Sequence, residues 1–143
     1  MDDFQTPRFG LPLLAPGQAH KEVFHNEALS RLDILVHPSA QAIVDDPSSI
    51  DQPVVGQCWI IGPNPVGPWA GRAAQIAAWT SGGWQFILPV PRMRLFLIQD
   101  DGMVIYENEG WTALPDIPVP EGGSHMDVEA RIAIAAILDH LKR

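Results

Sequence analysis

The sequence predicts an α+β domain: an N-terminal amphipathic helix, a mainly antiparallel β middle built of hairpins, and a C-terminal helix. Three observations carry this. Apolar residues recur at helical spacing in two stretches, one near each end of the chain. Between them lie short apolar or alternating runs separated by glycine-bearing turns, the pattern of antiparallel strands. The 143 residues, 46% of them hydrophobic, suit a single core, and 12 Gly with 14 Pro call for many turns.

The opening run Phe9 to Ala15 is apolar but broken by Pro12 and closed by Pro16-Gly17, so residues 1–17 read as an extended arm. From Gln18 to Val36 the pattern changes. Phe24, Ala28, Leu32 and Leu35 recur at spacings of four, four and three, while Lys21, Glu22, His25, Asn26, Arg31 and Asp33 fall mostly off that stripe. Pro38 ends the helix, because the residue before a proline is pushed out of helical geometry. Strands are expected near 41–44, 57–61, 75–80, 84–88, 93–99, 103–107 and 111–113. The turns Ser81-Gly82-Gly83, Asp100-Asp101-Gly102 and Asn108-Glu109-Gly110 each place glycine at or near a position expected to need a positive φ. Trp79 with Gly83-Trp84 and Leu88-Pro89 is echoed by Tyr106 with Gly110-Trp111 and Leu114-Pro115, as two versions of one hairpin.

Residues 62–72, rich in Pro and Gly and carrying Trp69, read as a surface loop. The domain is expected to span 1–114, followed by a Pro/Gly linker at 115–125 and a helix at 126–143. In that last helix Ala130, Ile134, Ile137 and Leu141 follow a four-three-four spacing, the seam of a short coiled coil and a candidate assembly surface. Ile132, Ala133, Ala136 and Leu138 widen the apolar surface, so the helix needs cover on more than one side.

A net charge of -8 disfavours nucleic acid, whose phosphates demand clustered Lys and Arg. The lone Cys58 sits in an apolar run beside Trp59 and reads as a buried thiol. No apolar stretch approaches the roughly 20 residues of a membrane span, and Met1-Asp2-Asp3-Phe4 lacks the positive start of a secretion signal. The expectation is a protein made in the cytoplasm, with no membrane insertion.

His25-Asn26-Glu27, one turn after Lys21 and Glu22, is the one cluster with acid-base or metal-binding types on a single helix. It lacks the second His at four-residue spacing that zinc helices use. The favoured reading is structural, with Asn26 and Glu27 bonding turn backbone to hold the helix against the arm. No nucleophile elbow, phosphate loop or paired-cysteine motif is present, so no enzyme activity, cofactor or metal is expected. Among the five Trp, Trp59, Trp79 and Trp84 read as core, while Trp69 and Trp111 are the candidates for a glycan platform stacking on pyranose faces.

The segment Leu11-Pro12-Leu13-Leu14-Ala15-Pro16-Gly17-Gln18-Ala19-His20-Lys21-Glu22-Val23, continuing into His25-Asn26-Glu27-Ala28-Leu29, resembles the signature of the phage tail-fibre-associated domain of unknown function 2793 family. Gly67-Pro68-Trp69-Ala70-Gly71, Gln75-Ile76-Ala77-Ala78-Trp79 and Gly83-Trp84-Gln85-Phe86 match its later blocks more loosely, so the resemblance spans roughly 9–114. It implies a virion component of prophages or gene-transfer agents, often a homotrimer, with no catalytic residues to carry over. The short length after the motif leads us to expect either an adhesive unit binding host surface glycan or an adaptor joining tail fibre or baseplate proteins. The alternatives are a carbohydrate-binding module on a cell-wall or capsule-degrading assembly and, third, a small hydrolase.

Overall fold

The computed structural model describes residues 4–15, 17, 21–114, 117–119 and 127–141. Helix α1 (Lys21–Leu35) leads into β1 (Ser39–Ala40) and β2 (Ile43–Val44), then β3 (Cys58–Ile61), β4 (Ile76–Thr80), β5 (Gly83–Ile87), β6 (Arg94–Leu97), β7 (Gly102–Glu107), β8 (Gly110–Ala113) and helix α2 (Val128–Leu141). The strands form two four-stranded sheets, in the orders β1-β6-β7-β8 and β2-β3-β4-β5. The pairs β1–β6 and β2–β3 are parallel and the other pairs antiparallel. The chain is thus α+β, with a helix towards each end and a mostly antiparallel middle.

The expected strand at 41–44 is instead two short strands, one in each sheet. Gln41 is the switch between them. Its carbonyl accepts from Gln99 N on the β6 side at 3.0 Å, while its own N–H donates to Cys58 O of β3 at 2.7 Å. One extended segment thereby supplies backbone hydrogen bonds to both sheets, which leaves neither with a full strand here.

Alternation along β3 explains the two cores. Successive side chains point to opposite faces of a strand, so Cys58 and Ile60 join Ile34, Ile76, Ala78, Leu95, Leu97 and Val104 in one cluster, which spans both sheets. Trp59 and Ile61 join Trp69 and Ala77 on the other face, with Trp79, Trp84 and Phe86 half-buried around them. All four residues of β3 are buried. Each aliphatic side chain so enclosed contributes about 1.5–3 kcal/mol.

The hairpin turns are tight. Glu107 pairs with Gly110 across a two-residue turn, and the residues with positive φ are Asn108 (50°) and Glu109 (65°), directly before Gly110. Both central residues of such a turn must be left-handed to match the twist of the strands. At Gly62 the constraint is closeness: a Cβ there would collide with the Asp45 carboxylate, which is held in place by accepting from Asn64 N at 2.9 Å.

Helix α1 does not bury the stripe expected of it. Phe24 is 78% exposed, Ala28 and Leu32 are exposed, and Leu35 is only half-buried. Among the described residues of α1 the buried positions are Asp33 and Ile34. The physical reason lies in the arm, whose polar backbone captures the helix by its polar side chains and so sets which face turns inward.

Candidate functional site

The densest polar cluster is formed by the arm, the C-terminal end of α1 and β3. Arg8 carries five N–H donors on its guanidinium, and each has an acceptor. Nε donates to Gly56 O at 2.8 Å, Nη1 to Ile34 O at 3.4 Å and His37 O at 3.3 Å, and Nη2 to Ser39 O and Cys58 Sγ, both at 3.1 Å. A cation at the end of a helix also meets the negative end of its dipole. Asp33, 1% exposed, accepts from Thr6 Oγ1 at 2.6 Å, Arg8 N at 2.9 Å and Phe9 N at 2.8 Å. Each group is occupied by the fold itself.

The Cys58 thiol lies fully buried in this cluster. Burial pushes it up from 9.0 to about 11, with Arg8 pulling the other way and Asp33 adding to the rise. It is therefore a protonated thiol at neutral pH, without the thiolate that nucleophilic chemistry requires. Beside this clasp of Thr6, Arg8 and Asp33, a cleft of about 440 Å³ runs between the arm, α1 and the β4–β5 turn, lined by Gln5, Thr6, Leu13, Ser30, Trp79 and Ser81 among others.

The helix cluster singled out in the sequence does not converge on a point. Asn26 accepts from Leu14 N at 2.9 Å and donates to Leu14 O at 3.0 Å, a two-bond brace on the arm. Glu27 turns instead to Arg31, at 2.7 Å on the exposed surface, a pair worth about 0.3–0.5 kcal/mol. His25 is exposed, and Glu22 is half-buried with Oε2 unpartnered among the described residues. Lys21 opens α1, but its side chain lies outside the described residues, as do Pro16, Gln18, Ala19, His20 and most of 115–125. Among the described residues there is no group of three His, Cys, Asp or Glu that could hold a metal ion.

Trp69 requires a correction, because it offers no platform. A short 3-10 turn, Gly67–Trp69, folds the loop back onto the outer face of β3 and β4 and buries the indole completely. Its ring meets Trp84 edge-on at 5.1 Å, and Trp84 also meets Trp59 at 5.5 Å and Trp79 at 4.8 Å. Arg72, from the same loop, stacks over Phe86 at 4.1 Å. Such edge-to-face pairs contribute about 0.5–1.5 kcal/mol each beyond area burial. Trp111 is half-buried against the main core, tilted on Tyr106, and its Nε1 donates to Ala74 O at 2.8 Å.

The clasp residues Thr6, Arg8 and Asp33 were not singled out as a site in the sequence. A signal was there: Asp33 is a lone acid inside Leu32-Asp33-Ile34-Leu35, and Arg8 is the only base in the arm. A charge so surrounded has to be paired if it is buried.

Helix α2 presents the opposite surface. Leu138 alone among its residues is buried, at a groove of about 520 Å³ shared with Met103, Val104, Leu114 and Ile117. Ala130, Ile134, Ile137 and Leu141 are all exposed, Ile137 by 58%. Among the described residues no helix is long and apolar enough to cross a membrane.

A family model described as a protein of unknown function (DUF2793) matches residues 25–112, from within α1 to within β8. No curated protein matches the chain.

Proposed function

We propose that this chain, which belongs to the DUF2793 family of proteins of unknown function, is a non-enzymatic structural or host-adhesion component of a phage-like tail fibre or baseplate. It acts by non-covalent contacts, with residues 1–114 as scaffold, 115–125 as tether and 126–143 as assembly helix. Its partners are further copies of itself, as a homotrimer, and neighbouring tail proteins or host surface glycan. Its place is the virion, prophage particle or gene-transfer agent. The phage association comes from the motif at 11–29.

The observation that carries the reading is α2, a helix whose four seam residues are all exposed, with Leu141 at the rim of the groove that takes Leu138, the one buried residue of the helix. A helix of 14 residues is marginal in water without a packed face, and covering Ile134, Ile137 and Leu141 supplies one. The clasp supports the same reading, since Arg8 and Asp33 spend their hydrogen bonds on holding the arm. An amphipathic α1 fits this reading with its apolar line turned outward to a partner. Antibody labelling or a density map of intact particles tests the role: the chain at the fibre or baseplate is expected, and its absence from purified particles contradicts it.

A further inference from the structure

We propose that the cleft between the arm, α1 and the β4–β5 turn binds one ring of an uncharged saccharide. The proposal names a place for the glycan contact in the reading above and rests on that contact alone, not on assembly through α2. The walls are fixed before any ligand arrives. The arm closes on itself through Thr6 N to Leu11 O at 2.9 Å and Gly10 N to Thr6 O at 3.1 Å, and the Thr6 hydroxyl ties it to Asp33 of α1 at 2.6 Å. On the far side Gly56 N donates to Trp79 O at 2.9 Å, and Thr80 Oγ1 closes the β4–β5 turn by donating to Gly83 O at 2.8 Å. A site with fixed walls loses little freedom on binding. Its volume of about 440 Å³ lies within the range of small-molecule pockets.

Hydrogen-bonding capacity left open by the fold selects the ligand. The Gln5 amide and the Ser81 hydroxyl, at exposed positions lining the cleft, have no partner among the described residues. Ser30 Oγ donates to Asn26 O at 2.9 Å, which leaves its oxygen as an acceptor. The cleft thus sets the Gln5 NH2 and the Ser81 hydroxyl, as donors, beside two acceptors, Gln5 Oε1 and Ser30 Oγ. A group that answers both kinds must itself donate and accept, as a hydroxyl does. Leu13, Ile34 and Val55 complete the lining. Their apolar surface suits the C–H faces of a pyranose ring, which carry no group that needs a polar partner.

Charge and polarity exclude the other classes. Among the described residues no Lys or Arg lines the cleft, so a phosphate or carboxylate finds no cation there. The acid that does line it, Asp33, is 1% exposed and already accepts three hydrogen bonds. It therefore repels an anion while presenting no open face to a cation. The net charge of -8 acts in the same direction against anions. A wholly apolar molecule would displace water from Gln5, Ser30 and Ser81 without replacing its hydrogen bonds. An uncharged ring bearing hydroxyls meets each of these conditions.

The test is titration of the full chain with glucose, N-acetylglucosamine and glucuronic acid, followed by amide NMR shifts. A neutral sugar is expected to shift the amides of Gly10, Gly56 and Ser81 with a dissociation constant of about 1–10 mM, and glucuronic acid to bind at least about 10-fold more weakly. Gln5→Ala with Ser81→Ala, both at exposed positions, is expected to weaken neutral-sugar binding about 10-fold. Ser81→Trp, which fills the mouth of the cleft, is expected to abolish it, and the circular dichroism of both variants to stay that of the parent. No shift with either neutral sugar up to about 100 mM, shifts confined to β8 or α2, or parental affinity in both variants overturns the proposal. Glucuronic acid binding as tightly as the neutral sugars overturns the uncharged class. A null result from a chain still found at the fibre or baseplate of intact particles overturns the cleft and leaves the tail reading standing. Sugar binding by a chain absent from particles does the reverse.

Discussion

The two helices of this chain solve the same problem in opposite ways. Helix α1 is held through polar groups: Asp33 accepts three hydrogen bonds from the arm, Asn26 accepts one from Leu14 N and donates one to Leu14 O, and Arg8 satisfies the carbonyls at the helix end. Helix α2 is apolar on several sides and has one buried residue. Polar anchoring specifies a position at which every group is satisfied. Apolar exposure specifies no such position. The difference teaches that the charged cluster, which elsewhere would draw attention as chemistry, here has its groups satisfied within the fold, while the aliphatic helix is the surface on which the assembly we propose depends.

The comparison breaks most visibly at Asp33. Asp33→Ala strands the Thr6 hydroxyl and two backbone N–H groups in a buried site, and is expected to cost about 3 kcal/mol or more in urea unfolding. Ile137→Asp, on exposed α2, is expected to change the unfolding of the isolated chain by less than about 0.5 kcal/mol. Equal losses from the two would erase the contrast.

A second, smaller effect concerns pH. Because burial raises the Cys58 thiol from 9.0 to about 11, the folded chain keeps its proton where the unfolded chain has lost it. The stability this supplies is whole below pH 9 and is lost as pH rises through about 11, on the order of 2 kcal/mol. Cys58→Ala is expected to flatten that part of the stability curve, as read from unfolding midpoints between pH 8 and 11. A smaller effect again is expected at Glu109, an L-residue at a φ of 65°. Glu109→Gly is expected to stabilise the β7–β8 hairpin by about 0.5–1 kcal/mol, visible as a modest rise in Tm.

The strands from 57 onward were legible because their signals are local. The short apolar run Met103 to Tyr106 and the Asp-Asp-Gly and Asn-Glu-Gly turns that bound it leave little freedom. What was not legible depended on partners distant in sequence. The segment 41–44 reads as one strand until β3 and β6 claim opposite sides of it. Trp69 reads as a loop residue until its turn folds back on Trp84. Phe24 and Leu32 read as an inward face by periodicity, which reports two-sidedness but not which side meets the body. The cysteine was expected to be buried, and it is, yet Arg8 at 3.1 Å lies 50 residues away in the chain. No spacing rule connects them.

Hydrogen exchange of the full chain at low and high protein concentration addresses the contrast between the helices directly. The amides of α1 are expected to stay protected at both concentrations, since the clasp needs no second copy. The amides of α2 are expected to exchange rapidly when dilute and to become protected as the concentration rises. Protection of α2 that is strong and independent of concentration would show a helix already satisfied within its own chain, and would contradict the account.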